Sequence, residues 1–98
     1  MRVSEIKERL LRERGIALDT RDPLAIRRAG DRYKAVAVAL ADLSDTAEID
    51  PDELTLNLRD AAKLLGHSVR EVRQLVYDRR LPSRRVGSEL RIPLAALL

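Results

Sequence analysis

The sequence predicts a mainly α-helical fold with one small β-hairpin, arranged as an N-terminal helical pair followed by two short helices and the hairpin. Three observations support this prediction. Two short amphipathic segments meet at Gly66. Apolar and polar residues alternate on each side of Gly87 in an arginine-rich stretch, and one long apolar stripe runs through residues 24–43. The first and third patterns have the period of a helix, and the second has the period of a strand.

The first short helix is predicted to begin at Asn57 and to end at Gly66. The side-chain oxygen of Asn57 can accept a free N–H of the first turn, and Asp60 favours the positive helix end. A one-sided apolar stripe follows. Gly66 then suits the left-handed backbone that commonly ends a helix. Residues 57–66 therefore read as one amphipathic helix that stops abruptly.

The second short helix is predicted to begin at Ser68. Ser68 and Glu71 match the capping box, in which each side chain satisfies an N–H of the first turn. Val72, Leu75 and Val76 have the spacing that turns them toward the preceding helix. Two amphipathic helices joined by so short a turn are typical of a helix-turn-helix.

A two-stranded hairpin is predicted after Leu81-Pro82. Gly87-Ser88 suits a type II′ turn, whose first loop position has a positive φ. We expect Val86, Leu90 and Ile92 to cover the core, and Arg84, Arg85 and Arg91 to point to solvent. Pro93 is expected to open a closing helix. With this hairpin as a wing, residues 54–98 become a winged helix-turn-helix.

The outer face of the second helix, taken as Ser68–Asp78, carries residue types that can read DNA. Val69, Arg70, Arg73 and Gln74 concentrate in its first two turns, where a recognition helix meets base edges in the major groove. Arginine can pair with guanine, glutamine with adenine, and valine can meet a thymine methyl. An ordinary solvated helix face is the alternative, because exposed arginine and glutamine are common.

Phosphate contacts are expected from polar and basic residues around this helix and on the wing. Basic residues of a wing can follow the DNA backbone or enter the minor groove. Residues 54–98 carry nine Arg/Lys and four Asp/Glu, a net +5, whereas residues 1–53 have a net −2. That asymmetry favours the C-terminal part as the nucleic-acid surface. The candidates for phosphate contact are Lys63, His67, Ser68, Arg84, Arg85 and Arg91.

The run from residue 57 to 93 resembles the excisionase-like, MerR-related family of small winged helix-turn-helix domains. The resemblance rests on Asp60-Ala61-Ala62, Leu64-Leu65-Gly66, the Ser68-capped helix, Leu81-Pro82, and Arg85-Val86-Gly87 with Arg91-Ile92-Pro93. It implies binding to duplex DNA, often by several copies side by side, in excision or transcriptional control. Two features depart from the family pattern: His67 replaces a more usual apolar turn residue, and the last helix is short.

The N-terminal part, residues 1–43, is predicted to form two helices. The first contains Ile6 and Leu10 and is expected to end at Gly15. Asp22-Pro23 is a strong start for the second, because a capping carboxylate precedes a proline at the first turn. Residues 44–53 are strongly acidic and are predicted to be a linker to the winged domain of residues 54–98.

The apolar stripe of the second N-terminal helix is broad enough to contact two partners. Either it packs on the first helix and on the winged domain, or residues 23–43 bind another copy or another protein. The residues predicted to form this surface are Tyr33, Val36, Leu40 and Leu43. An antitoxin-like protein would combine partner binding here with DNA binding at the other end. A protein-interaction module is therefore the alternative to a DNA-binding regulator.

The amino-acid composition excludes several other functional classes of protein. No cysteine is present, so disulfides and thiolate zinc sites are ruled out, and aromatic residues make up only 2% of the chain, against a stacking platform for single strands. The single histidine has no clustered ligands or catalytic partners near it in sequence. We therefore expect a cytoplasmic protein with no membrane span. It should be non-enzymatic and use no metal or cofactor. We expect it to act on duplex DNA as a homo-oligomer or cooperative assembly.

Overall fold

A computed structural model describes residues 1–98 and divides into two compact units, Met1–Glu48 and Ile49–Leu98. The fold is mainly helical, with a small three-stranded antiparallel sheet toward the C-terminus, which confirms the predicted fold class. None of the helices combines the length and the apolar composition that crossing a lipid bilayer requires.

The first unit is a helical hairpin of α1 (Val3–Thr20) and α2 (Pro23–Ala39). As predicted, Asp22 caps α2: its carboxylate accepts a hydrogen bond from the Leu24 N–H at 3.1 Å, and Pro23 occupies the first turn. Only two residues connect the helices. A link this short returns the second helix alongside the first, so α1 and α2 pack as neighbours.

The predicted end of the first helix at Gly15 is wrong, because α1 continues to Thr20. A glycine inside a helix costs only about 1 kcal/mol relative to alanine. Ala17, two residues after Gly15, is buried in the unit, so packing outweighs that cost. The helix ends instead at Arg21, which has a left-handed backbone with φ 58°.

The core of the first unit takes in two residues that were predicted to form a partner surface. Val36 and Leu40 are fully buried, so they are unable to present an accessible face in this conformation. Tyr33 is half-buried, and Leu43 is 37% exposed. The apolar stripe of α2 is therefore used largely by its own unit. The buried core of this unit is Val3, Ile6, Leu10, Ala17, Ala29, Ala35, Val36 and Leu40.

The acidic segment predicted as a linker makes contacts in both units. In the first unit, the backbone N–H groups of Val3 and Ser4 donate to the carbonyls of Ala47 and Asp45, and Lys7 donates to the Asp45 carboxylate at 2.8 Å. In the second unit, Asp50 opens a turn by accepting the Asp52 N–H at 2.9 Å. Residues 44–47 are thus held by hydrogen bonds to the start of α1, and residues 50–52 by a local turn.

The second unit contains two short helices and the sheet. Its helices are α3 (Leu58–Leu65) and α4 (Val69–Tyr77), and its strands are β1 (Thr55–Asn57), β2 (Arg84–Val86) and β3 (Glu89–Pro93). The sheet order is β1-β3-β2. The predicted hairpin is present as β2 and β3. The sequence did not predict β1, because three residues are too short to show an alternating pattern.

The strand register corrects one predicted core residue. Arg84 pairs with Arg91, and Val86 pairs with Glu89. Paired residues share a face of the sheet, so Val86 lies with the charged residues and is 56% exposed. Ile92 is fully buried on the opposite face and Leu90 is half-buried, as predicted.

The predicted closing helix is a single 3₁₀ turn, Leu94–Ala96, and Pro93 belongs to β3. Two hydrogen bonds hold this turn in place. Leu94 N–H donates to the Leu54 carbonyl at 2.8 Å, and Ala95 N–H donates to the Pro51 carbonyl at 2.9 Å. The last residues therefore close the unit through their backbone and through the buried side chains of Leu94 and Leu97.

Arg91 links β3 to β1 through its guanidinium group. Its Nε and one terminal nitrogen donate to the hydroxyl and the backbone carbonyl of Thr55, both at 2.8 Å. The other terminal nitrogen lies 3.3 Å from the Glu89 carboxylate. The side chain is half-buried, unlike that of Arg84 opposite it. Arg91 was predicted to point to solvent, and here it joins two strands.

Replacing Arg91 with alanine is expected to destabilise the second unit by about 1–2 kcal/mol, because two charge-assisted hydrogen bonds to Thr55 are lost. Arg84→Ala is the matched control, and should change the free energy of unfolding by less than about 0.5 kcal/mol. Both changes in the free energy of unfolding can be measured by urea unfolding of the full chain, monitored through the NMR amide signals of β1 and β3. Equal effects of the two substitutions would contradict a linking role for Arg91.

Candidate nucleic-acid interface

The junction between α3 and α4 sets the orientation of α4, the helix that carries the candidate interface. Asn57 caps α3 as predicted, its side chain accepting the Asp60 N–H at 2.8 Å. Gly66 ends α3 with φ 69°, and the following His67 N–H donates to the Ala62 carbonyl at 3.0 Å. A residue with a Cβ would be strained at this φ. The chain therefore turns sharply from one helix to the next.

A complete capping box begins α4. The Ser68 hydroxyl accepts the Glu71 N–H at 3.1 Å, and the Glu71 carboxylate accepts the Ser68 N–H at 3.1 Å. The same carboxylate also lies 3.0 Å from Nδ1 of His67. These contacts fix the first turn of α4, from which the predicted base-contact residues project.

The two faces of α4 differ in burial as the sequence predicted. Val72 is fully buried, and Leu75 and Val76 are half-buried. The remaining side chains of the helix are exposed. Among them, Arg73 and Gln74 lie three and four residues after Arg70, so the three side chains form one polar stripe along the helix.

One open groove joins this stripe to the hairpin wing, defined here as β2, β3 and the Gly87-Ser88 loop. Its volume is about 430 Å³, and Arg73 from α4 and Arg85 from β2 both line it. The groove also contains Tyr77, four residues after Arg73 and 72% exposed. The structure thus brings together two arginines that the sequence assigned to separate roles. Tyr77 was not among the predicted contacts, although its spacing from Arg73 is the signal that places it there.

Most basic side chains of this unit have no partner within the chain. Nine Arg/Lys lie in residues 54–98, and Arg91 is the one with a hydrogen bond or ion pair, which leaves eight without. These eight include five of the predicted contacts. They are Lys63, Arg70, Arg73, Arg84 and Arg85.

The other polar candidates already have intramolecular partners. The Gln74 amide donates to the Asp78 carboxylate at 3.0 Å. The His67 ring contacts Glu71 through Nδ1, which leaves Nε2 without a partner in the chain. Ser68 uses its hydroxyl oxygen as an acceptor and still has an O–H to donate. Val69 lies at the outer edge of the first turn, 36% exposed.

A second sharp turn follows α4 and was not anticipated from the sequence. Arg79 N–H donates to the Val76 carbonyl, and Arg80 N–H donates to the Leu75 carbonyl at 2.9 Å. This is the Schellman pattern, and it gives Arg79 a left-handed backbone with φ 57°. Glycine normally occupies this position, since a side chain there costs on the order of 1 kcal/mol. Arg79 lies between α4 and the wing.

The capping interactions perturb one titratable group. The hydrogen bond from the Ser68 backbone N–H, followed by the contacts with the Ser68 side chain and with His67, lowers the pKa of Glu71 from its ordinary value of 4.5. The carboxylate is therefore favoured in its charged form, which is the form that completes the capping box.

The comparisons with known proteins concern this same unit. Residues 55–98 match a protein-family model described as a helix-turn-helix domain. This range contains β1, α3, α4 and the wing, and it supports a helix-turn-helix DNA-binding domain in the C-terminal part of the chain. Searches of curated proteins and of solved structures each found no match.

The depressed pKa of Glu71 predicts an acid-dependent loss of stability. A carboxyl with a lowered folded-state pKa stabilises the fold above its unfolded pKa, and that contribution disappears as the pH falls through the folded value. The urea midpoint of the wild type should therefore decrease between about pH 5 and pH 3, and in Glu71→Gln it should decrease less. Glu53→Gln, which removes a carboxylate without a side-chain partner, is the control. Parallel pH profiles for wild type and Glu71→Gln would contradict this role.

Proposed function

We propose that the protein binds duplex DNA in a sequence-specific manner through its second unit, with residues Ser68–Asp78 as the recognition helix in the major groove. The observation that carries this proposal is the exposed, unpaired Arg70–Arg73 pair on the second helix of a matched helix-turn-helix domain. In such domains the early turns of the second helix meet the base edges.

Base reading is assigned to four residues of α4. Arg70 and Arg73 have free guanidinium groups that can each donate two hydrogen bonds to a guanine. Gln74 can pair with adenine after exchanging its bond to Asp78 for the base. Val69, at the start of the helix, can contact a thymine methyl. Together the four residues have three different base preferences, for guanine, adenine and thymine, which is what specific reading needs.

Phosphate contacts are assigned to residues at the two ends of this surface. Lys63, His67 and Ser68 surround the junction between α3 and α4, and Arg84 and Arg85 extend from the wing. Arg85 lines the groove with Arg73, so a backbone segment beside the recognition helix would lie within reach of the wing. Arg91 remains a candidate, although its bonds to Thr55 reduce the donors it can offer.

The proposed cellular role is that of a transcriptional regulator or an excisionase-like factor, assembled on DNA as a homo-oligomer or cooperatively. Families of helix-turn-helix DNA-binding domains are typically non-enzymatic, and we propose a binding role and no catalysis. The relation to excisionase-like and MerR-related proteins is part of this proposal. It is supported by the wing that follows α4, which the sequence resemblance led us to expect.

A second candidate function is protein binding by the first unit, as in an antitoxin-like protein. One observation favours it: Ile16 and Leu24 are 66% and 57% exposed and line the same apolar groove of about 400 Å³ between α1 and α2. This groove differs from the predicted partner surface, which contains Val36 and Leu40. Those two side chains are buried, whereas Ile16 and Leu24 are accessible. Sedimentation of the purified chain discriminates the two occupants: a dimer would cover the groove with a second copy, and a monomer leaves it for another protein.

The DNA-binding proposal predicts salt-dependent affinity for labelled random-sequence duplex DNA. If about 4–6 phosphates are neutralised, the logarithm of the affinity should fall with the logarithm of the salt concentration at a slope of about −4 to −5. Arg70→Ala/Arg73→Ala should weaken this binding. On a site selected from a random pool, Arg73→Ala alone should cost about 1–3 kcal/mol, and on random DNA much less.

Arg9→Ala/Arg12→Ala is the matched control, because it removes two exposed, unpaired arginines with the same spacing from α1. It should bind like the wild type if only the second unit contacts DNA. Equal losses for Arg73→Ala on selected and random DNA would remove the base-reading role. Absence of binding at low salt would overturn the proposed function as a whole.

A further inference from the structure

We propose that Arg79 is a phosphate-contacting residue whose left-handed backbone aims its guanidinium at the DNA between the recognition helix and the wing; this inference rests on the proposed function. The two helices of the helix-turn-helix end in the same backbone motif. Gly66 has φ 69° at the end of α3, and Arg79 has φ 57° at the end of α4.

The hydrogen bonds of the two helix ends correspond pair by pair. After α3, Gly66 N–H and His67 N–H donate to the carbonyls of Lys63 and Ala62. After α4, Arg79 N–H and Arg80 N–H donate to the carbonyls of Val76 and Leu75. One end has the residue that this geometry favours, and the other has an arginine that is strained in it. The backbone motif alone does not require an arginine.

No side-chain contact within the chain offsets the strain at Arg79. Its side chain is exposed and makes no hydrogen bond or ion pair, and it is not among the residues with a further interaction. Strained non-glycine residues that the fold does not need are found preferentially at binding sites. Because Arg79 lies in the unit proposed to bind DNA, its compensating interaction is expected outside the chain.

The position of Arg79 identifies an anion as that external partner. It stands two residues after the end of α4 and five residues before Arg84, in the segment that joins the helix of Arg73 to the strand of Arg85. Like those two arginines, it has no side-chain partner within the chain. Asp78 is the one acid beside it, and that carboxylate accepts a hydrogen bond from Gln74. A phosphate of the DNA segment that passes from α4 to the wing fits this chemistry.

The test compares Arg79→Gly with a matched substitution. Glycine relieves the strain and removes the charge, so the thermal midpoint of the variant should be equal to or higher than that of the wild type. Its affinity for labelled random duplex DNA should fall about tenfold at low salt, and the salt slope should lose about 0.9, the value for one phosphate contact. Arg79→Lys, which keeps the charge, should retain most of the affinity.

Arg21→Gly is the control, because Arg21 is the other non-glycine residue with a positive φ and lies in the first unit. It also loses one charge and one strained side chain, and it should bind DNA like the wild type. Equal affinities of Arg79→Gly and Arg21→Gly would overturn the inference. A thermal midpoint of Arg79→Gly below the wild-type value would overturn its premise, since it would show that the side chain stabilises the fold.

Arg70→Ala/Arg73→Ala, measured together with Arg79→Gly on the site selected from a random pool, separates this inference from the proposed function. If that variant loses affinity while Arg79→Gly does not, DNA binding through α4 stands and the role of Arg79 is wrong. If the wild type itself fails to bind DNA at low salt, both the proposed function and the role of Arg79 are overturned.

Discussion

The turn of three residues between α3 and α4 is the constraint on which the DNA-binding unit depends. Gly66 reverses the chain with a left-handed backbone, and the Ser68–Glu71 capping box restarts the helix two residues later. Backbone hydrogen bonds fix the end of α3, and side chain–backbone hydrogen bonds fix the start of α4, so the rotation of α4 about its axis is fixed too. Val72 then faces the core, and the polar stripe with Arg73 has to face outward.

The sheet supplies the second fixed element of this unit. β3 pairs with the hairpin strand β2 on one side and with β1 on the other, and Arg91 adds side-chain bonds to Thr55 across the β1–β3 pair. β1 leads directly into α3 through the capping residue Asn57. The wing is therefore connected through the sheet to the start of the helix-turn-helix, and Arg85 can share a groove with Arg73.

Stability and binding use different arginines of the second unit. Arg91 is used for the fold, with three donors directed at residues of its own sheet. Arg73 and Arg85 have no such partners, and Arg79 is held in a conformation that opposes stability. An exposed, unpaired charge adds little to the stability of a small domain, and a strained backbone lowers that stability. This division identifies which arginines are available to a ligand.

The sequence by itself determined the features that local hydrogen bonding controls. These include the caps at Asp22, Asn57 and Ser68 and the reversal at Gly66, because such motifs involve residues within a few positions of each other. Only the tertiary structure decided the features that depend on distant partners. β1 exists because β3 pairs with it, Val86 is exposed because the register places it opposite Glu89, and α1 continues through Gly15 because α2 packs beside it. Propensity and spacing carry no information about those partners, so the sequence alone left them open.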